Sequence, residues 1–233
     1  MKHALKLFIV IILTVMNLIS CKNEKQVDKS NPFFSEFNTP FNVPPFEKIK
    51  AKHYMPAFEK GMAEGRRDIE NLIKNKQTPT FKNTVVALDN AGELLTNVSA
   101  VFFSQASANT NDSLQNIEME ISPKLAAYND EIRLNPDLFR KVKYVYDNQA
   151  QFNLNPEQTF ILENLYKGFV RNGANLNKQD QDSLKKLNQR ISVLAVRFSQ
   201  NILNETNNYK LFVDKSGIEG LPESVTAPAA DAA

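Results

Sequence analysis

Leu114, Ile117, Ile121, Leu125, Tyr128 and Ile132 step by three, four, four, three and four residues. That spacing puts all six on one side of an α-helix, whereas a strand would turn its side chains over at every second residue. Leu184, Leu187, Ile191, Leu194, Phe198 and Ile202 repeat the signature with steps of three, four, three, four and four. Asn135-Pro136 and Asn155-Pro156 each join a capping side chain to a residue suited to the first helical position, so each predicts a helix start. Gly173 predicts a stop. With seven glycines and no tryptophan, a glycine-rich β protein is a poor alternative. The predicted fold class is all-α, a multi-helix bundle.

Six helices are expected. The first runs from about Lys50 to Lys74, with Ile49, Tyr54, Phe58, Met62 and Ile69 inward and Pro56 in its first turns. The second reads as one long helix from Pro79 to Asn111, capped by Thr80 or Asn83. Two adjoining stripes (Val85, Leu88, Leu95 and Phe102; Ala91, Leu94, Val98 and Val101) give it a wide buried face, suited to more than one neighbour. Gly92 inside it costs about 1 kcal/mol relative to alanine, and a close helix crossing would account for its use. The third starts after Asn111 or Asp112, with a kink near Met119 to Ser122 caused by Pro123. The fourth turns Leu138, Val142 and Val145 inward, and the fifth Ile161, Leu165 and Phe169. The sixth opens near Asn177 or Asp180 and reads as one helix of an intramolecular bundle, with a coiled-coil partner face as the alternative. Leu211, Phe212 and Val213 before Asp214-Lys215-Ser216-Gly217 fit a short strand and turn.

The first twenty residues read as a signal peptide. Lys2, His3 and Lys6 are followed by an apolar run from Leu7 to Met16, too short for a span of roughly 20 residues. Leu18-Ile19-Ser20-Cys21 resembles a bacterial lipoprotein box, which makes Cys21 the expected lipid attachment site. Cys21 is the only cysteine, so no intramolecular disulfide can form. An acyl chain there would hold the protein to a membrane surface at about 0.8 kcal/mol per buried CH₂. The expected localisation is an exported, membrane-anchored lipoprotein of a bacterial envelope, facing the periplasm. Residues 21–45 are expected to form a tether followed by an arm rich in proline and phenylalanine. Its prolines forbid a regular helix, while Phe33, Phe34, Phe37 and Phe41 favour burial on the helical body. Residues 46–233 form the helical domain. Lys2 and Lys6 account for the net charge of +2, so the chain from Cys21 onward is neutral and a poor candidate for nucleic acid.

The runs FEKIKAKHYMPAFEKGMAEGRRDIENLI and PTFKNTVVALDNAGELLTNVSAVFFSQASANTND resemble the amino-terminal helical region of the thimet oligopeptidase family. Within it they lie nearest the bacterial peptidyl-dipeptidase and oligopeptidase A branch. The likeness extends from about Asn31 to about Leu221. Its most telling pieces are His53-Tyr54 with Pro56-Ala57-Phe58, the stretch from Asn83 to Leu95, and Val101-Phe102-Phe103. The resemblance implies a larger, mostly helical zinc peptidase that hydrolyses short peptides in a deep, narrow channel. This segment would be one wall of that channel, partnered by a catalytic half further along the chain. Ala233 is accordingly expected to be a truncation rather than a natural boundary.

The chemistry of such an enzyme needs H-E-x-x-H on a helix, two histidines holding zinc and a glutamate activating water. The only histidines are His3 and His53, so no catalytic or metal-binding residue is assigned within this chain. His53 itself reads as a packed residue at a helix N-terminus beside Tyr54. There is no G-x-S-x-G, no catalytic Cys-His pair, since Cys21 lies at the lipid junction, and no phosphate-binding glycine loop. Glu118 and Glu120, or Asp180 and Asp182, are two apart and read as solvated helix faces. The functional expectation is therefore the non-catalytic amino-terminal portion of a zinc-dependent peptidyl-dipeptidase or oligopeptidase. The alternative is a stand-alone helical lipoprotein that binds a partner through an exposed face.

Overall fold

A computed structural model describes residues 30–214 and 216–231. The expected signal peptide, Cys21 and most of the tether lie outside the described residues. Among the described residues the chain is all-α, without strands. Its main helices are α1 (Ala51–Lys74), α2 (Glu93–Ala108), α3 (Asp112–Arg133), α4 (Pro136–Asp147), α5 (Pro156–Arg171), α6 (Lys178–Asn208) and α7 (Glu223–Asp231).

The helix starts obey local capping chemistry. Asn111 Oδ1 accepts from Leu114 N, Asn135 Oδ1 from Asp137 N and Leu138 N, Asn155 Oδ1 from Gln158 N, and Asn177 Oδ1 from Asp180 N. Each satisfies donors that a helix leaves without internal partners. Gly173 stops α5 with φ +91°. Ala174 N donates to Phe169 O and Gly173 N to Val170 O, which closes the carbonyl end of the helix. α3 continues through Pro123 as one helix. Pro56 lies beyond the first turn of α1, inside the helix, rather than at its start.

The long second helix does not form as one piece. Thr80 and Asn83 cap each other reciprocally, but the helix they open is a π-helical stretch (Phe81–Val86), succeeded by a short α turn (Ala87–Asp89) and a break. Gly92 sits at the break with φ +74°, a left-handed conformation that L side chains resist. Its amide donates to Asp68 Oδ2 at 3.1 Å, which ties the turn to α1. The expected close crossing is also present. A Cβ on Gly61 would stand 2.8 Å from the Leu95 backbone nitrogen, and one on Gly65 would stand 3.4 Å from Gly92 Cα. α1 and α2 thus touch backbone to backbone.

Around this contact lies the main core. Tyr54, Phe58 and Phe102 are fully buried, with Val98, Ile121 and Tyr128 beside them. The Tyr54 hydroxyl donates to Gln105 Oε1, and burial pushes its pKa up to about 12, so it stays neutral. Two smaller clusters join α4 and α5 to the body, one around Leu138, Val142 and Phe169, the other around Val85, Val145 and Leu162. In α5 it is Leu162, not Ile161, that is buried. The phenylalanines of the arm divide: Phe33 packs on Tyr54 with ring centroids 5.5 Å apart, whereas Phe41 is 99% exposed. Residues 209–214 form no strand and leave Leu211 and Phe212 exposed. No neighbouring edge exists among the described residues to pair their backbone groups.

α6 packs along α3, but not through the stripe expected to face the bundle. Val196 is its buried residue, with Asn188 and Gln200 bonding across the pair to Asp130 and to the Gln115 carbonyl. Leu187, Ile191, Leu194, Phe198 and Ile202 are each 50% to 66% exposed.

Candidate functional site

His53 is buried in the first turn of α1, and its Nδ1 accepts from Lys50 N at 3.0 Å. The ring thus closes one half of a reciprocal cap. The carbonyl of the same residue accepts from Asn31 Nδ2 at 2.9 Å, and Asn31 Oδ1 accepts from Phe33 N. His53 is therefore a joint between the arm and the helical body. Its role as a packed helix-terminal residue rests on that geometry. With Nδ1 committed to a backbone donor, it is badly placed to hold a metal through that atom.

Among the described residues no three His, Cys, Asp or Glu side chains lie close enough to hold an ion. The side chains of the described residues therefore do not fit a catalytic zinc. Three of the four carboxylates expected on solvated faces are engaged there. Glu120 pairs with Lys124 at 2.7 Å, Asp182 with Lys178 at 2.7 Å, and Asp180 accepts from Asn177. Glu118 differs. It lines a crevice of about 360 Å³ where α2, α3 and α6 meet, and burial raises its pKa above the ordinary value. A two-residue spacing separates neighbours on a helix, but it does not say which of the pair faces the next helix.

A cleft of about 610 Å³ lies where α1, α2, α3 and α5 meet the π-helical stretch. Leu88, Leu95, Ile132 and Leu165 supply its apolar walls, while Tyr128 and Arg133 bring polar groups to it. Arg133 lies over the ring of Phe169, 5.4 Å from its centroid, so its charge is held at the wall. Burial raises the pKa of Tyr128, with Arg66 pulling the other way. No histidine or cysteine lines this cleft; Asp89, Thr96, Ser99 and Asn129 are its other polar residues. It can hold an apolar body beside a cation. No sequence signal pointed to it, because its walls come from elements up to about a hundred residues apart.

Asp130, on α3, is 8% exposed. Asn188 Nδ2 of α6 donates to its Oδ1 at 2.7 Å, while Oδ2 has no partner. Burial pushes the carboxyl pKa above the usual range, against the opposing pull of Asn188 and Lys185. A raised native pKa means that the folded chain holds this proton more tightly than the unfolded chain does. The ionised group therefore destabilises the fold above its native pKa. That destabilisation is relieved as pH falls through the native pKa toward the unfolded value near 4. Asp130→Asn keeps an acceptor for Asn188 and removes the buried charge. It is expected to raise stability near neutral pH by about 1 kcal/mol and to flatten the acid side of the profile. Urea midpoints near neutral and mildly acidic pH check this; a less stable variant at neutral pH would mean that the charge is compensated.

No protein-family model matches the chain. Curated relatives do. The chain is 37% identical over 204 residues to a dipeptidyl carboxypeptidase of Escherichia coli strain K12, covering 87% of this chain and 30% of that protein. It is 26% identical over 192 residues to oligopeptidase A of the same organism, covering 82% of this chain and 28% of that protein. An organellar oligopeptidase A of Arabidopsis thaliana is 24% identical over 205 residues, 88% of this chain and 25% of that protein. The chain thus spans about three-tenths of the length of the curated relatives it matches. Over that segment the chain is a homologue of the dipeptidyl carboxypeptidases and oligopeptidases A, which are members of the thimet oligopeptidase family.

Proposed function

We propose that this chain is the non-catalytic amino-terminal portion of a zinc-dependent peptidyl-dipeptidase or oligopeptidase that hydrolyses short peptides. Its helices form one wall of the substrate channel, and its work there is steric selection and scaffolding. The observation that carries this reading is the 37% identity over most of the chain to a dipeptidyl carboxypeptidase more than three times as long as the matched segment. The H-E-x-x-H that the chemistry needs is missing from these 233 residues, which suits a scaffold rather than a catalytic centre. The zinc and the glutamate that activates water belong to a carboxyl-terminal catalytic half of the same polypeptide. The protein is exported and held to a membrane facing the periplasm by a lipid on Cys21. The leader ending in Leu18-Ile19-Ser20-Cys21 supports that placement.

The intact mass of the native product, extracted from its own membranes, tests this directly. The expected product is much heavier than this chain, carries zinc and an acyl-modified Cys21, and hydrolyses short peptides. A product of this chain's mass, with neither zinc nor peptide hydrolysis, would overturn the enzyme reading. It would leave a lipid-anchored helical module that has kept only the scaffold.

A further inference from the structure

We infer that the outward stripe of α6 is a docking face for the carboxyl-terminal part of the same polypeptide, and that it takes an apolar surface bordered by carboxylates. This rests on the reading of the chain as one portion of a longer peptidase. Leu187, Ile191, Leu194, Phe198 and Ile202 succeed one another at steps of four, three, four and four, so they lie in one row over about 22 Å of helix. All five are at least half exposed. A row of five large apolar side chains open to water is unusual on a self-contained protein and marks a surface that something covers. α6 already packs on α3 through a different face, centred on Val196, so the stripe is a second apolar face on the same helix. Tyr209, Leu211, Phe212 and Val213 continue the exposed apolar surface beyond its end.

Charge decides between occupants. Lys186, Arg190 and Arg197 are spaced by four and seven, which sets them along one edge of the stripe. Between Asp182 and Glu205 the helix carries Lys185, Lys186, Arg190 and Arg197 and no acid. A second copy brought face to face would set cations beside cations, an arrangement that opposes pairing. A surface with carboxylates at the matching edge would instead gain ion pairs around a dry centre. About seven-tenths of the matched relatives' length lies outside the segment shared with this chain. That much polypeptide, tethered to α6, meets the stripe at high effective concentration, which a separate partner would not.

The test uses the native product from its own membranes. Hydroxyl-radical footprinting compares Phe198 with Phe41, which is 99% exposed and serves as an internal reference. A zero-length carbodiimide cross-link joins Lys186 to any carboxylate it pairs with. The expected result is Phe198 oxidised at least about fivefold more slowly than Phe41, because the centre of an interface excludes water. Lys186 is expected to couple to acids beyond residue 233. An Arg190→Glu, Arg197→Glu double variant should raise the Phe198 rate, and since both side chains are exposed it should leave the fold intact. A long, peptide-hydrolysing product in which Phe198 reacts as fast as Phe41 would overturn the docking face while the proposed function stands. Cross-links between Lys186 and a second copy would also overturn it. A product with no further residues would remove the proposed function and this inference together.

Discussion

Phe102→Ala is expected to lower the unfolding free energy by about 4 kcal/mol, through lost burial and the cavity left behind. Phe102 is completely buried on α2. Its ring meets Tyr54 at 5.0 Å, Phe58 at 5.4 Å and Phe103 at 5.1 Å between centroids, all edge-on. These are the arrangements in which the positive edge of one ring faces the negative face of the next, each adding about 1 kcal/mol beyond area burial. The cavity opens at the α1–α2 contact, where the backbones already touch and cannot close further to fill it. Phe41→Ala is the control: a ring exposed to water should change stability by no more than about 0.5 kcal/mol. Urea denaturation of both variants checks this. A loss below about 1 kcal/mol at Phe102 would mean that the aromatic cluster is not the centre of the core.

Gly61→Ala is expected to destabilise by about 2 kcal/mol, although alanine is the better helix former. Two effects compete. Helix propensity favours alanine by about 1 kcal/mol at a position inside α1. Against it, the new Cβ would lie 2.8 Å from Leu95 N and 2.9 Å from Leu95 Cα, both backbone atoms that cannot rotate away. Forcing two packed helices apart costs about 3 kcal/mol at such a contact, so overpacking wins. Gly168→Ala isolates the propensity effect. It is a helical glycine whose nearest neighbour to an added Cβ is the end of the Arg133 side chain at 3.6 Å, an ordinary contact. It is expected to stabilise by about 0.5–1 kcal/mol. Opposite signs for the two substitutions in matched thermal or urea titrations are the diagnostic result. A stabilising Gly61→Ala would show that α1 and α2 do not cross so closely.

Both predictions depend on contacts that no periodicity could reveal, although much of the secondary structure was legible. Asn111, Asn135, Asn155 and Asn177 announce their helices because a cap is a bond between a side chain and an amide two or three residues on. The inward stripes of α3 and α4 were legible for the same local reason, since one buried face imposes the helical repeat directly. The absence of a zinc motif was equally plain from His3 and His53 alone. The likeness to the thimet oligopeptidase family was carried by the long runs around His53-Tyr54 and Asn83 to Leu95, which lie on α1 and on the stretch that leads into α2.

The tertiary structure decided the rest. Apolar spacing runs unbroken through Gly92, so the sequence reads as one helix; only the left-handed turn, held by Asp68 from α1, divides it. Glycine at that position is compatible with a helix interior, a close crossing or a turn, and the partner backbone selects among them. On α6 the pattern marks apolar residues faithfully but is silent about what covers them. Val196 meets α3, while Leu187, Ile191, Leu194, Phe198 and Ile202 face away from it, because a long helix can carry two apolar faces and one neighbour covers only one. The cleft beside Tyr128 and Arg133 has no sequence signature at all, since it exists only where four helices converge. Local chemistry thus determined where the helices begin, and the sequence itself carried the likeness to the thimet oligopeptidases. Which faces they bury, where the chain turns and which surface stays open depended on the approach of one backbone to another.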